Sequence, residues 1–143
     1  MKYVIIGVGA AAMTAAKTLR DGDKDCEIVM ISVDTQPHSR CMLHKYLGHE
    51  RDAAGLNFVP GDFFEKNQIW HIPGQRVEGL KTAAKKVVYG GGIECSYDKL
   101  LIATGAESFI PPVGALRTAP NVFGLRHLSD AVAIDERAKN SEN

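Results

Sequence analysis

Apolar positions fall into two kinds of run along this chain. Tyr3-Val4-Ile5-Ile6 and the stretch Glu27 to Ser32, with Ile28, Val29, Met30 and Ile31 inside it, are nearly continuous. Such runs predict strands buried on both faces. Between them Ala10 to Arg20 is rich in Ala with Leu and Lys and predicts a helix, with Gly22 as its stop. Strand, helix and strand within about 30 residues make a βαβ unit. Further on, Ile69 to Ile72 and Lys99 to Ala103 predict two more strands of the same sheet. Trp70 in the first of these is assigned to strand packing.

Between those two strands the period changes. Arg76 to Leu80, Lys85 to Tyr89 and Ile93 to Ser96 are short β-prone segments, the last two separated by Gly90-Gly91-Gly92. They predict a three-stranded antiparallel meander. The intervening stretches predict loops at Thr35 to Arg40 and Arg51 to Pro60. Short helices are predicted at Cys41 to Leu47 and at Gly61 to Asn67, the latter with Asp62 as a cap. Phe63-Phe64 supplies the apolar face of that second helix. After Pro111-Pro112 the chain is irregular until Ser129 to Lys139, which predicts a helix. The fold class that follows is α/β in three layers, with a mostly parallel sheet and a separate meander.

Composition narrows the function. The chain has 143 residues, enough for one cored domain, with 17 Lys plus Arg against 17 Asp plus Glu. A zero net charge argues against a nucleic-acid partner. The three cysteines, at 26, 41 and 95, form neither a Cys-x-x-Cys pair nor an even disulfide framework, which suits a reducing cytoplasm. Met1-Lys2 and the apolar run behind it imitate a secretion signal, but the stretch is too short to span a membrane and contains two glycines at a specific spacing. Of the five histidines, His44 and His49 stand five apart, which does not set two ligands on one helical face, and no metal site is expected.

Those glycines carry the chemistry. Gly7-Val8-Gly9-Ala10-Ala11-Ala12 is G-x-G-x-x-A between a strand and a helix. Gly7 allows the tight turn, Gly9 lets the backbone approach a pyrophosphate, and Ala12 lets helix and strand pack closely. The helix N-terminus then offers N–H donors and a positive dipole end to phosphate. Such a Rossmann-like unit expects an acidic residue about 20 positions on, for ribose hydroxyls. Asp34, 22 residues after Ala12, is the candidate, with Ser32 and Val33 where an acid is more usual. A plain glycine turn and a plain surface aspartate stand as the alternatives.

Four stretches together resemble the FAD-binding part of pyridine nucleotide-disulfide oxidoreductase-like flavoproteins, among them rubredoxin and ferredoxin reductases and the flavin module of NAD(P)H nitrite reductases. They are Tyr3 to Ala16, Ser39-Arg40-Cys41-Met42-Leu43-His44-Lys45, Gly74-Gln75-Arg76-Val77, and Tyr97 to Gly105. The resemblance implies FAD as cofactor, with NAD(P)H serving the full-length parent. It implies FAD contacts from Gly7, Gly9, Ala10, Ala11, Ala12, Asp34, Arg40, Lys45, Val77, Ala103, Thr104 and Gly105. Arg40 and Lys45 would lie near the FAD, and Val77 would meet the adenine through its backbone. Asn121 to Ala131 resembles the lead-in to an NAD(P)H-binding domain.

The expected organisation is residues 1–115 as the amino-terminal part of an FAD-binding domain and 116–143 as that lead-in. On this reading the stretch does not transfer hydride from NAD(P)H alone, and binds FAD weakly or not at all by itself. The parent is an NAD(P)H:acceptor oxidoreductase passing electrons through FAD to rubredoxin, a ferredoxin-like protein or a nitrite reductase centre. No catalytic residue is assigned. No membrane partner is expected, and homo-oligomers are allowed. Unlike the disulfide reductases, the chain has no Cys-x-x-x-x-Cys pair. Two alternatives stand: a dinucleotide-binding module without turnover, and a single-cysteine NADH oxidase or coenzyme A disulfide reductase type using Cys41, whose thiol Arg40 and Lys45 would activate. The simpler reading of Cys41 is a tolerated cysteine.

Overall fold

The computed structural model describes residues 1–141. Strands β1 (Lys2–Ile6), β2 (Glu27–Ile31), β3 (Ile69–Ile72) and β7 (Lys99–Ile102) form a parallel sheet in the order β3-β2-β1-β7. Strands β4 (Val77–Lys81), β5 (Lys86–Tyr89) and β6 (Ile93–Ser96) form the antiparallel meander. Both sheets stand where the apolar runs and the Gly-rich turn put them, with ends shifted by no more than one residue.

The chain divides into two compact units. The first comprises residues 1–37 and 59–105, the second 38–58 and the residues from 106 onward. In the first unit the continuous apolar strands are explained by two covered faces. On one face Ile5, Ile28 and Met30 pack with Ala12, Met13 and Ala16 of helix α1 (Ala10–Gly22) and with Phe63 of α3 (Phe63–Lys66). On the other face Val4, Ile6, Val29 and Ile31 pack with Val87 of the meander. Ile5, Met30, Ile31 and Val87 are wholly buried, and each contributes roughly 1.5–3 kcal/mol through that burial. The sheet is thus the middle of three layers.

Helix α1 reaches its buried face through Ala12, Met13, Ala16 and Arg20. Arg20 is the unexpected member, because a charged residue is seldom buried without partners. Its guanidinium donates to four carbonyls: Asn67 at 2.8 Å, Lys24 at 2.6 Å, Gln68 at 3.1 Å and Asp23 at 3.4 Å. It ties the end of α1 to the turn that enters β3.

Two expectations need correction. Trp70 is 70% exposed, not packed. It stands on β3, an edge strand of the sheet, opposite Val29 in register. Asp62 occupies the position before α3, but its side chain makes no capping bond. Phe63 and Phe64 do form the apolar face of that helix, edge to face with centroids 5.9 Å apart.

The second unit has its own core of Leu43, Leu56 and Ala131, with Met42, Tyr46, Leu47 and Leu128 around it. Helix α2 (Leu43–Leu47) follows a 3₁₀ turn at Arg40–Met42, and a second 3₁₀ turn occupies Ala54–Leu56 in the stretch read as irregular. Helix α4 (Leu128–Lys139) starts one residue before the sequence reading. The Asp130 carboxylate accepts the backbone N–H of Arg126 and of His127, each at 2.8 Å, and so closes its first turn. Among the described residues no helix is long and apolar enough to cross a membrane.

Candidate dinucleotide site at the carboxyl ends of the parallel strands

The carboxyl ends of β1, β2 and β7 are linked by backbone hydrogen bonds beyond the strands themselves. Gly7 N–H donates to the Ile31 carbonyl at 2.8 Å, and Ala103 N–H to that of Ile6 at 2.9 Å. Gly7 adopts φ 112°, a region that favours glycine, and a Cβ there would overlap the Ala103 carbonyl oxygen. Gly7 is therefore demanded by the chain's own backbone.

Gly9 differs. It precedes α1 with φ −74° and ψ 177°, extended backbone that any residue adopts. A Cβ there meets nothing within 4 Å. The fold itself gives no reason for glycine at this place. The first turn of α1 beyond it carries no acidic side chain, and Gly9 has no side chain with which to cap it. The helix start leaves N–H groups without intrahelical partners and a positive dipole end. Ala10 and Ala11 are exposed, while Ala12 is wholly buried against the sheet. The space and donors suit a pyrophosphate, and the residues present fit the dinucleotide that the glycine pattern implies.

Ser32 organises the end of β2. Its buried Oγ accepts the Asp34 N–H at 3.0 Å. Its carbonyl accepts the Gln75 N–H at 2.8 Å, and its own N–H donates to the Ile72 carbonyl at 3.2 Å. One serine thereby sets the backbone of Asp34 and anchors the Gly74–Val77 turn, where Gly74 has φ 68°. Val77 begins β4, beside an irregularity in the pairing with β5. In the sequence Ser32 stands out only as a departure from the usual acid. Its local hydrogen bonds are the kind a short hydroxyl side chain makes two residues ahead.

Beyond β7, Ala103 is half-buried, Thr104 and Gly105 are exposed, and Gly105 has φ 74°. Gly7, Gly9, Ala10, Ala11, Ala12, Asp34, Val77, Ala103, Thr104 and Gly105 all belong to the first unit. Arg40 and Lys45 belong to the second. Lys45 Nζ binds Glu50 Oε2 at 2.6 Å and holds that carboxyl below its ordinary range. Arg40 donates to the Arg126 carbonyl at 2.9 Å. Cys41 is exposed in the 3₁₀ turn, whereas Cys26 is buried and Cys95 half-buried.

Comparison with known proteins follows the same direction. The family model for pyridine nucleotide-disulphide oxidoreductase matches residues 1–142. An NADH oxidase of Methanocaldococcus jannaschii is 32% identical, over 94% of this chain and 31% of its own length. The ferredoxin--NAD(+) reductase component of a 3-phenylpropionate/cinnamic acid dioxygenase from Photorhabdus laumondii is 32% identical, over 96% of this chain and 35% of its own. The crystal structure of NADH:rubredoxin oxidoreductase from Clostridium acetobutylicum superposes with a TM-score of 0.83 at 28% identity, covering 97% of this chain and 36% of that one. The chain spans about a third of the length of these relatives. By the match along nearly its whole length and the glycine turn that accompanies it, the chain belongs to the pyridine nucleotide-disulphide oxidoreductase family, whose members are FAD- and NAD(P)H-dependent reductases.

Proposed function

We propose that this chain is the FAD-binding part of an NAD(P)H-dependent flavoprotein oxidoreductase. The observation that carries the reading is Gly9, a glycine with an ordinary φ and open space where its side chain would be. A ligand approaching the backbone gives that glycine a reason which the protein's own packing does not. Residues 1–115 then form the amino-terminal part of the FAD domain, and 116–143 lead toward an NAD(P)H-binding domain. The chain's span of about a third of its relatives agrees with that division.

In this reading the N–H groups of Ala10, Ala11 and Ala12 receive the pyrophosphate. Gly7 shapes the turn, and Asp34 accepts hydrogen bonds from the adenosine ribose. Val77 meets the adenine through its backbone. Ala103, Thr104 and Gly105 bring the chain back beside the dinucleotide, and Arg40 and Lys45 supply cations on the flavin side. FAD, when bound, supplies the hydride and electron chemistry, and the protein supplies binding, orientation and electrostatics. The electron acceptor is a ferredoxin- or rubredoxin-like protein or a nitrite reductase centre, and the setting is a reducing cytoplasm.

Titration of the purified chain with FAD and, separately, with NAD tests the reading, followed by fluorescence and by amide NMR at Gly9. Weak but saturable FAD binding that moves the Gly9 amide is the expected result. Preference for NAD, or no shift at Gly9 with either dinucleotide, overturns it.

A further inference from the structure

We infer that His127 is a positioning residue for Arg40, holding its guanidinium by accepting a hydrogen bond at Nδ1. The inference rests on the proposed role of Arg40 toward FAD. Arg40 Nη1 lies 3.1 Å from His127 Nδ1 and 2.9 Å from the Arg126 carbonyl oxygen. A guanidinium does not give up its proton and has only donors. His127 Nδ1 must therefore accept, so its proton sits on Nε2. That nitrogen lies 3.0 Å from Glu107 Oε2, a carboxylate that can only accept when ionised. The chain Glu107–His127–Arg40 thus has a single consistent direction of donation, and it selects the Nε2–H tautomer.

The platform behind it is held as well. The peptide that offers Arg40 the Arg126 carbonyl has its own N–H groups taken by Asp130, at 2.8 Å from both Arg126 and His127. Arg126 Nε donates to the Ala106 carbonyl at 2.8 Å. Arg40 thus leans on two acceptors fixed to the start of α4. Orientation of a guanidinium matters more than its mere charge, because its donors form a rigid planar fork.

A variant without an acceptor at the place of Nδ1 loses the link to Arg40. FAD affinity follows it.

Three substitutions separate this role from a general loss of structure. His127→Asn keeps an oxygen acceptor close to the place of Nδ1. His127→Gln keeps a polar end toward Glu107 and loses the acceptor for Arg40. His127→Ala loses both. FAD affinity of the chain is measured at pH 8, with a melting curve for each variant. The His127 tautomer is read by ¹⁵N NMR without FAD.

The expected pattern has several parts. The wild type shows the Nε2–H form. His127→Asn keeps near wild-type affinity at pH 8. Gln and Ala bind about tenfold more weakly at pH 8, the loss expected for one charge-assisted hydrogen bond. An Nδ1–H tautomer, a Gln variant equal to wild type, an Asn variant as weak as Ala, or affinity losses that merely follow melting temperature each overturn the inference. A wild-type chain whose Gly9 amide is unmoved by FAD overturns instead the site reading on which it rests, while the NMR result still decides whether the Arg40 link exists.

Discussion

The place where Gly7 lacks a side chain is filled by the carbonyl of Ala103. The first glycine of the G-x-G-x-x-A turn and the end of the Tyr97–Gly105 stretch, 96 residues apart, therefore form one joint at the carboxyl ends of β1 and β7. The nearby bond from Ala103 N–H to the Ile6 carbonyl keeps the two chains in step. The second family stretch is in this way part of what shapes the first.

Substitution of Gly7 by Ala should lower stability. The new methyl meets a backbone carbonyl that cannot swing away, and φ 112° is strained for any L side chain. A loss of about 2–4 kcal/mol is expected from the overlap and backbone terms together. Denaturant unfolding measures it. A variant as stable as wild type would show that the joint yields easily.

Gly9→Val should behave in the opposite way. Its side chain enters open space on an ordinary backbone, so unfolding should change by less than about 1 kcal/mol. Dinucleotide binding should be lost, because the valine occupies the room a pyrophosphate needs. Equal FAD affinity for the two forms contradicts the proposed site.

These two glycines show what the sequence can and cannot reveal. G-x-G-x-x-A names both, but only the structure separates the one required by the backbone from the one with open space where a side chain would be. The strands were legible because β1 and β2 are covered on both faces and read as unbroken apolar runs. Trp70 was misread because a strand's pattern does not tell whether it ends the sheet, and β3 does. Asp62 stands where a cap belongs, yet position alone does not aim a side chain. Arg20 and His127 went unnoticed for a common reason. Their partners include a carbonyl 47 positions away and a side chain 87 positions away, and no periodicity reports such contacts.

His71 predicts a pH dependence. Its ring stacks on Phe64 with centroids 4.1 Å apart and planes 11° from parallel. Among the described residues nothing hydrogen-bonds to its buried Nε2. Burial pushes its pKa below the ordinary histidine value. The unfolded chain, with a histidine pKa of about 6.5, therefore takes up the proton first as the solution is acidified. Stability should be intact above that pH and should fall as pH is lowered through the folded-state pKa. His71→Phe keeps the stack and removes the proton site. Its stability relative to wild type should be constant above neutrality and should rise steadily below about pH 6.5. A stability difference that does not change with pH would show that His71 is no such titrating site.

Arg20 makes the strongest demand on the fold. It is buried at the end of α1, where most arginines lie in solvent, and its guanidinium serves the carbonyls of Asp23, Lys24, Asn67 and Gln68. These belong to two separate turns, the one from α1 into β2 and the one from α3 into β3. Arg20→Met keeps much of the apolar stem but leaves all four carbonyls without this donor, and a loss of about 2–3 kcal/mol is expected. Arg20→Lys should recover less than half of it, because an ammonium is a compact point donor and cannot reproduce the planar fork that reaches both turns. Hydrogen exchange should report the fault locally, with faster exchange at the start of β3 and the end of α1 and less change at the glycine turn. FAD affinity of the folded variant should stay within about twofold of wild type, since none of the proposed dinucleotide contacts involves Arg20. Full stability in Arg20→Met, or complete rescue by Lys, would mean that water replaces the guanidinium at these carbonyls without cost and that the two turns are held by the packing of Phe63 and Ile69 alone.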